Sequence, residues 1–244
     1  MEGKRALVTG GHSGLGLGLV EALVKAGARV TVLARSADKL RALAARLPVE
    51  VVVGDTGDRA LAADLLRSLR PSVVALNAGA IPKLAPIDEQ RWEDFTEVWE
   101  QDVKAGLHWM QETLRMPLPA GSRMLISASG AAVNGSPLSG GYAGAKRMLW
   151  IMAQYANGVS EQRKLGIRFQ VVVPMQMVGD TARGSEAAQA YARQKGVTPE
   201  AFLAGFGRPL SIEAYGTYAL QVLAESGTAY GIKGDFGLRC LDQA

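Results

Sequence analysis

The sequence predicts an α/β protein. Its 244 residues are expected to form one domain over 1–244, with helices on both faces of a central, mostly parallel sheet of seven strands. Three observations predict this. Short apolar runs alternate with amphipathic segments through the first third of the chain, the rhythm of right-handed strand–helix–strand crossovers. The first apolar run opens directly onto a glycine cluster that starts the first amphipathic segment. Hydrophobic content is 48% and charged content 20%, enough apolar surface for one large core and too much for disorder.

The elements follow in order. Lys4–Thr9 (KRALVT) reads as a buried strand, and the helix after the glycines ends at Gly27. Ala28–Leu33 is a second strand, Ser36 caps a helix over Ala37–Leu47, and Val49–Val53 is a third strand. Asp58–Leu69 is helical, and Ser72–Leu76 is a fourth strand running into Asn77, Ala78 and Gly79. After a loop come two helical segments broken near Arg91–Phe95, the second stopped by Pro117 and Pro119. Met124–Ser127 is the fifth strand, a loop follows, and a long helix runs from Gly140 or Tyr142 to about Lys164. Ile167–Val173 is the sixth strand. Residues 179–208 hold helices but no strand, more chain than a connection needs, and are expected to form a substrate lid. Ser211 caps a last helix, and the tail GTAYGIKGDFGLRC is expected to hold the seventh strand.

Composition excludes several classes. The net charge is +4, but the densest basic group, Arg163, Lys164 and Arg168, is interrupted and lacks interleaved aromatics, so nucleic acid is not an expected partner. No window approaches the ~20 apolar residues of a membrane span. The apolar stretch at the start is too short for a signal peptide. One cysteine, Cys240, forms no internal disulfide and fits a reducing compartment. A cytoplasmic location is expected.

The glycine turn points to a nucleotide. Gly10, Gly14 and Gly16 follow Thr9 as T-G-x-x-x-G-x-G, between a strand and a helix. Such a turn brings backbone close to a pyrophosphate and aims a helix N-terminus at its charge. His12, Ser13 and Leu15 lie in the same turn; His12 reads either as a phosphate contact or as a packing residue. Where the second strand ends, a carboxylate would bind a ribose 2′-hydroxyl. Ala34 stands there instead, and Arg35 follows, which suits a 2′-phosphate. NADP(H) is therefore favoured, with NAD(H) as the alternative. Asp55, after the third strand, is placed to accept from an adenine amino group, with Thr56 beside it; Thr56 and Asp58 also read as helix caps.

Further along, Ser129 ends an apolar run, and Tyr142 and Lys146 lie four apart at a helix start, on one face. A free phenol is a poor base near neutrality, and an adjacent ammonium favours its phenolate. Such a group can handle one proton at a carbonyl oxygen.

Thr9-Gly10-x-x-x-Gly14-x-Gly16, Asn77-Ala78-Gly79, Ser129 and Tyr142-x-x-x-Lys146, in this order, resemble the short-chain dehydrogenase/reductase family, up to about Val173. The resemblance implies a Rossmann-like three-layer sandwich. It implies that Gly10, Gly14 and Gly16 bind the pyrophosphate side of the cofactor and that Asn77 steadies the sheet centre near the ribose. Lys146 would bond the nicotinamide ribose, Tyr142 would pass a proton to the substrate oxygen, and Ser129 would hold that oxygen, leaving Ser127 structural. Pro174 and Thr181 would lie against the nicotinamide. This sequence departs from the family in carrying Asp102 where members usually have an asparagine that supports a proton relay; a carboxylate there can hold a water or pair with Lys146 and change its effect on Tyr142. It also has Ala145 for a serine, Met175 after Pro174 for a glycine, and no Asp-Gly-Gly near the end.

Ala131, Val133, Met175, Met177, Phe202 and Phe206 are the expected substrate contacts, an apolar set suited to a hydrophobic carbonyl compound. His108, Trp109 and Trp99 read as core or subunit-interface residues, and a homodimer or homotetramer is expected. The expected activity is NADP(H)-dependent interconversion of a ketone or aldehyde with an alcohol. The alternatives are a non-redox dehydratase, epimerase or cyclase on the same scaffold, or a non-catalytic NADP-binding regulator.

Overall fold

The structure, a computed structural model, describes residues 1–178 and 181–242. Eight strands are present: β1 (Arg5–Thr9), β2 (Arg29–Ala34), β3 (Val49–Val53), β4 (Val73–Leu76), β5 (Arg123–Ser127), β6 (Arg168–Pro174), β7 (Ala229–Lys233) and β8 (Gly237–Cys240). They form one sheet in the order β3-β2-β1-β4-β5-β6-β7-β8. The pairs from β3 through β7 are parallel, and β8 runs antiparallel to β7. The tail thus holds two strands where the sequence suggests one. GLRC is half exposed and carries Arg239, so it lacks an apolar run; the hairpin depends on Gly237, at φ +70°, to reverse the chain.

The chain builds outward from β1 to β3, then crosses back to lay β4 on the other side of β1. Connections therefore leave in opposite directions from the carboxyl ends of β1 and β4. A crevice opens at that reversal, the usual ligand position in such sheets.

Helices cover both faces. α1 (Gly14–Lys25), α2 (Ala37–Ala44) and α10 (Ile212–Val222) bury Leu19, Leu23, Leu40 and Ala219 on one side. α3 (Arg59–Leu69), α5 (Lys104–Arg115) and α7 (Tyr142–Gln162) bury Leu66, Trp109, Met110 and Leu149 on the other. α1 and α10 cross backbone to backbone: a Cβ on Gly18 would overlap the Ile212 carbonyl, and one on Gly216 the Gly18 carbonyl.

Caps follow the sequence. Ser36, Asp58 and Ser211 accept the backbone N–H groups of Lys39, Ala60 and Ala214. α4 (Trp92–Val98) leads into a π-helical turn, Trp99–Val103, and then into α5. The break before this helix falls just ahead of Trp92, at the near edge of the expected interval. The loop expected after Ser129 contains a short helix, α6 (Ala131–Asn134), whose first turn is held by Ala131 N–H donating to Ser129 Oγ at 3.2 Å.

Between β6 and α10 lie α8 (Ala182–Lys195) and α9 (Pro199–Ala204). Residues 179 and 180, which open the expected lid, lie outside the described residues. Tyr191 of α8 stacks on Phe202 of α9, and Phe206 meets Phe202 edge-on. Buried Gln176 ties the base of this segment together: its Nε2 donates to the Arg208 carbonyl at 3.1 Å, and its Oε1 accepts from Gly234 N–H at 2.7 Å.

Candidate active site

A cleft of about 1480 Å³ opens above the carboxyl ends of the central strands. Its floor is the glycine turn. Ser13 precedes α1 in extended conformation, so the free N–H groups of the first turn point outward. Gly10, His12, Ser13, Gly14 and Leu15 line the cleft; Gly16 sits beneath them. A Cβ on Gly16 would strike Asn77 Nδ2 and the Gly10 carbonyl, so only glycine lets helix and strand end approach this closely.

Asn77 is the hub of that approach. Its Nδ2 donates to the Gly10 carbonyl at 3.4 Å, and its Oδ1 accepts from Ser127 Oγ at 3.2 Å. Thr9 Oγ1 accepts the N–H groups of Asn77 and Ala78 at 3.0 and 3.1 Å. Beneath Ser127 lies Tyr215 of α10, fully buried, its hydroxyl 3.2 Å from Ser127 Oγ. Burial pushes the Tyr215 phenol up to about 12, against a smaller opposing effect from Ser127.

At the cleft's far wall, Arg35 and Lys39 stand together past the end of β2, next to Ala34. Burial, and secondarily Lys39, hold the His12 imidazole below its usual range, and its Nδ1 is buried without a hydrogen-bond partner. Asp55 is exposed at the cleft edge and accepts from Gly57 N–H at 2.7 Å. The loop around Thr56 is pinned from below. Trp109, a core residue, donates to the Thr56 carbonyl at 2.9 Å, and His108 Nδ1 lies 3.0 Å from the Gly57 carbonyl.

The residues expected to carry the chemistry lie between β5 and α7. Ser129, Tyr142 and Lys146 line the same cleft, with Ser129 and Tyr142 partly exposed and Lys146 buried. The Lys146 ammonium lies 5.6 Å from the centre of the Tyr142 ring and donates to the Ser127 carbonyl at 3.3 Å. It also lies 2.8 Å from Asp102 Oδ2, an ion pair approached outside hydrogen-bonding angles. Asp102 comes from the π-helical turn, which rotates it into the protein. Its other oxygen accepts from Ala80 N–H at 2.7 Å. Both partners of the pair are almost wholly buried, 3% and 1% exposed by side chain.

The expected substrate contacts divide. Ala131, Met175, Met177, Phe202 and Phe206 line the cleft, and Val133 does not: it is 43% exposed on the outer side of α6, because a helix there turns successive side chains apart. Polar Asn134, Ser136 and Gln194 interleave with the apolar lining. Pro174 lines the cleft, and its carbonyl accepts from Gly130 N–H at 2.8 Å. Thr181 also lines it, but its hydroxyl is engaged in capping α8, donating to the Val178 carbonyl at 2.8 Å and accepting from Gly184 N–H at 3.0 Å.

Sequence reasoning missed Lys39, Tyr215, the hold of Thr9 on Asn77 and Ala78, and the part Ser127 plays in holding Asn77 and Lys146. Only Lys39 carries a local signal, one turn beyond Arg35 across the Ser36 cap. Tyr191 was missed as well: its hydroxyl lies 2.6 Å from Ser136 Oγ and accepts from Leu138 N–H at 3.1 Å, joining α8 to the loop before Tyr142.

A crevice at the strand-order reversal, floored by a glycine turn and flanked by a serine, a phenol and a lysine, defines a dinucleotide-binding α/β protein. The model for short chain dehydrogenases matches residues 4–190, and the chain belongs to that family. It is 34% identical over 149 residues to a galactitol 2-dehydrogenase from Rhizobium johnstonii, covering 57% of this chain and 55% of that one. It is 30% identical over 195 residues to a sorbitol dehydrogenase from Cereibacter sphaeroides, covering 77% and 75%. The matched stretch thus spans about half of the first relative and three quarters of the second. Solved structures share the fold. An actinorhodin polyketide ketoreductase with NADPH superposes at a TM-score of 0.81 with 21% identity, over 97% of this chain and 99% of that one. An L-sorbose reductase from Gluconobacter frateurii, complexed with NADPH and L-sorbose, gives 0.77 and 22%, over 96% of each. Among the described residues, no helix is long and apolar enough to cross a membrane.

Proposed function

We propose that the protein is an NADP(H)-dependent oxidoreductase that interconverts a ketone or aldehyde with its alcohol, acting on a small hydroxylated carbonyl compound. The observation that carries this reading is the meeting of Ser129, Tyr142 and Lys146 in one cleft with the glycine turn. The fit of a dinucleotide rests on the α1 N-terminus, the close packing of Gly16 under Asn77, and His12 on the lining, whose buried Nδ1 has no partner. Arg35 and Lys39 beside Ala34 favour a 2′-phosphate: two cations follow the end of β2, where a carboxylate would favour a free 2′-hydroxyl. The polar lining among methionines and phenylalanines, and the polyol dehydrogenases among the relatives, favour a hydroxylated substrate over the purely apolar one expected from sequence.

Bound reduced nicotinamide supplies the hydride. Ser129, whose Oγ already accepts from Ala131, has its O–H left to donate to the substrate oxygen. Tyr142 gives that oxygen its proton. Lys146, fixed by Asp102 and the Ser127 carbonyl, holds the ribose side of the site. Asn77 fixes the glycine turn under the phosphates. The α8–α9 segment serves as the substrate lid. Exposed Trp92, Trp99, Leu107 and Tyr155 on α4, the π turn, α5 and α7 favour a homodimer or homotetramer, and exposed Cys240 fits a reducing, cytoplasmic setting.

The test is the fall in NADPH absorbance with a panel of ketoses and simple ketones. Y142F is expected to lose at least ~100-fold in kcat while still binding NADPH. A Y142F enzyme with full activity would sink the assignment.

A further inference from the structure

The buried pair of Lys146 and Asp102 sets the charge beside Tyr142. Asp102 receives a backbone N–H on one oxygen and the ammonium on the other, so the carboxylate is fixed in place and the pair is neutral as a unit. An ammonium alone at this distance would draw the phenol toward phenolate. With Asp102 attached, most of that field is cancelled, and burial leaves solvent no role in screening either charge. The remaining charged side chains on the cleft wall from the elements around this end of α7 are Glu97 from α4, Glu100 from the π turn and Lys104 from α5, with Lys195 of α8 over the Phe202 ring. Lys83 is paired with Asp94 at 2.6 Å, and Arg147 of α7 lies over the Trp150 ring. Among the described residues, β5, β6 and α6 bring no charged side chain to the cleft.

We propose that Asp102 is a positioning residue that holds Tyr142 as a proton-donating phenol, so that the reductive direction persists to higher pH than with an asparagine in its place. This rests on reading Tyr142 as the proton donor. Reduction takes one proton from the Tyr142 O–H as the carbonyl carbon gains a hydride; oxidation returns a proton to the phenolate as the hydride leaves. The two directions therefore titrate through the same group, and their pH profiles must move together.

The experiment measures kcat/KM for the carbonyl substrate and its alcohol against pH, at saturating cofactor, in wild type, D102N and Y142F. D102N keeps an acceptor for Ala80 and puts a neutral NH2 in place of the charged oxygen that faces Lys146. Both of its profiles are expected to move toward acid by about one pH unit. Profiles that stay in place, or move toward alkali, overturn the inference while an inactive Y142F leaves the proton-donor reading standing. An active Y142F overturns that reading itself. If D102N does not fold, wild type decides. A buried pair is barely screened, so raising salt from about 0.05 to about 0.5 M should shift its profiles by less than ~0.3 pH unit. A larger shift assigns control to the exposed charges and overturns the proposal.

Discussion

Arg35 and Lys39 act as single residues, and on the proposed reading cofactor choice belongs to them. Neither forms part of the core, and both face the cleft beyond the end of β2. Removing charged hydrogen-bond donors to a phosphate costs about 1.5–3 kcal/mol each. The double variant R35A/K39A is therefore expected to raise the KM for NADPH at least ~10-fold and to leave the KM for NADH within about two-fold. Steady-state kinetics with both cofactors check this; equal losses with both would mean that the two cations support the loop rather than read the 2′-phosphate. Arg35 is legible in the sequence because it directly follows a recognisable strand end. Lys39 is less legible: it lies one turn beyond Arg35, on a helix that otherwise reads as ordinary surface.

At the scale of the element, α10 does more than cover the sheet. It reaches under the active site through Tyr215, whose hydroxyl meets Ser127 and through it Asn77. Folding raises the Tyr215 phenol to about 12, above the ~10 of an unfolded tyrosine. Its contribution to stability is therefore whole below pH 10 and is lost as pH rises toward 12, in total about 2–3 kcal/mol. Y215F should be about 1 kcal/mol less stable than wild type at pH 8, for want of one hydrogen bond. The gap should close and reverse as pH approaches 12. Urea unfolding at several alkaline pH values checks this, and parallel curves would show that Tyr215 ionises as freely in the folded state as in the unfolded. Such links are illegible in sequence because their partners lie far apart along the chain: 88 residues for Ser127 and Tyr215, 68 for Thr9 and Asn77. The glycine turn, the strand-end serine and the Tyr142–Lys146 pair are legible because each is short and local. Asp102 was visible as a departure able to hold a water or pair with Lys146; the structure makes the pair, through a π-helical turn for which no local pattern of residues gives a signal.

Over the whole molecule, the sequence yields the alternating strands and helices and the side on which the crevice opens. It yields less of the last strand, because a hairpin of half-exposed residues has no apolar period to read. The two ends of the chain are locked together where α1 and α10 cross at Gly18 and Gly216, a contact that does not involve the segment between β6 and α10. That segment is closed at its root by Gln176, which grips Arg208 on the way out and Gly234 of the hairpin beside it. In engineering terms, the root is a socket. A chimera that keeps Gln176 and Arg208 but carries a relative's helices in place of α8 and α9 should fold with its melting temperature within about 5 °C of the parent, retain NADPH affinity, and take on the donor's substrate range. Differential scanning calorimetry and a comparative ketone panel would follow both properties, and a chimera that loses cofactor affinity would show that the two halves are not separable. New specificities can then arise by exchanging one plug, while the proton chemistry proposed beneath it stays as it is.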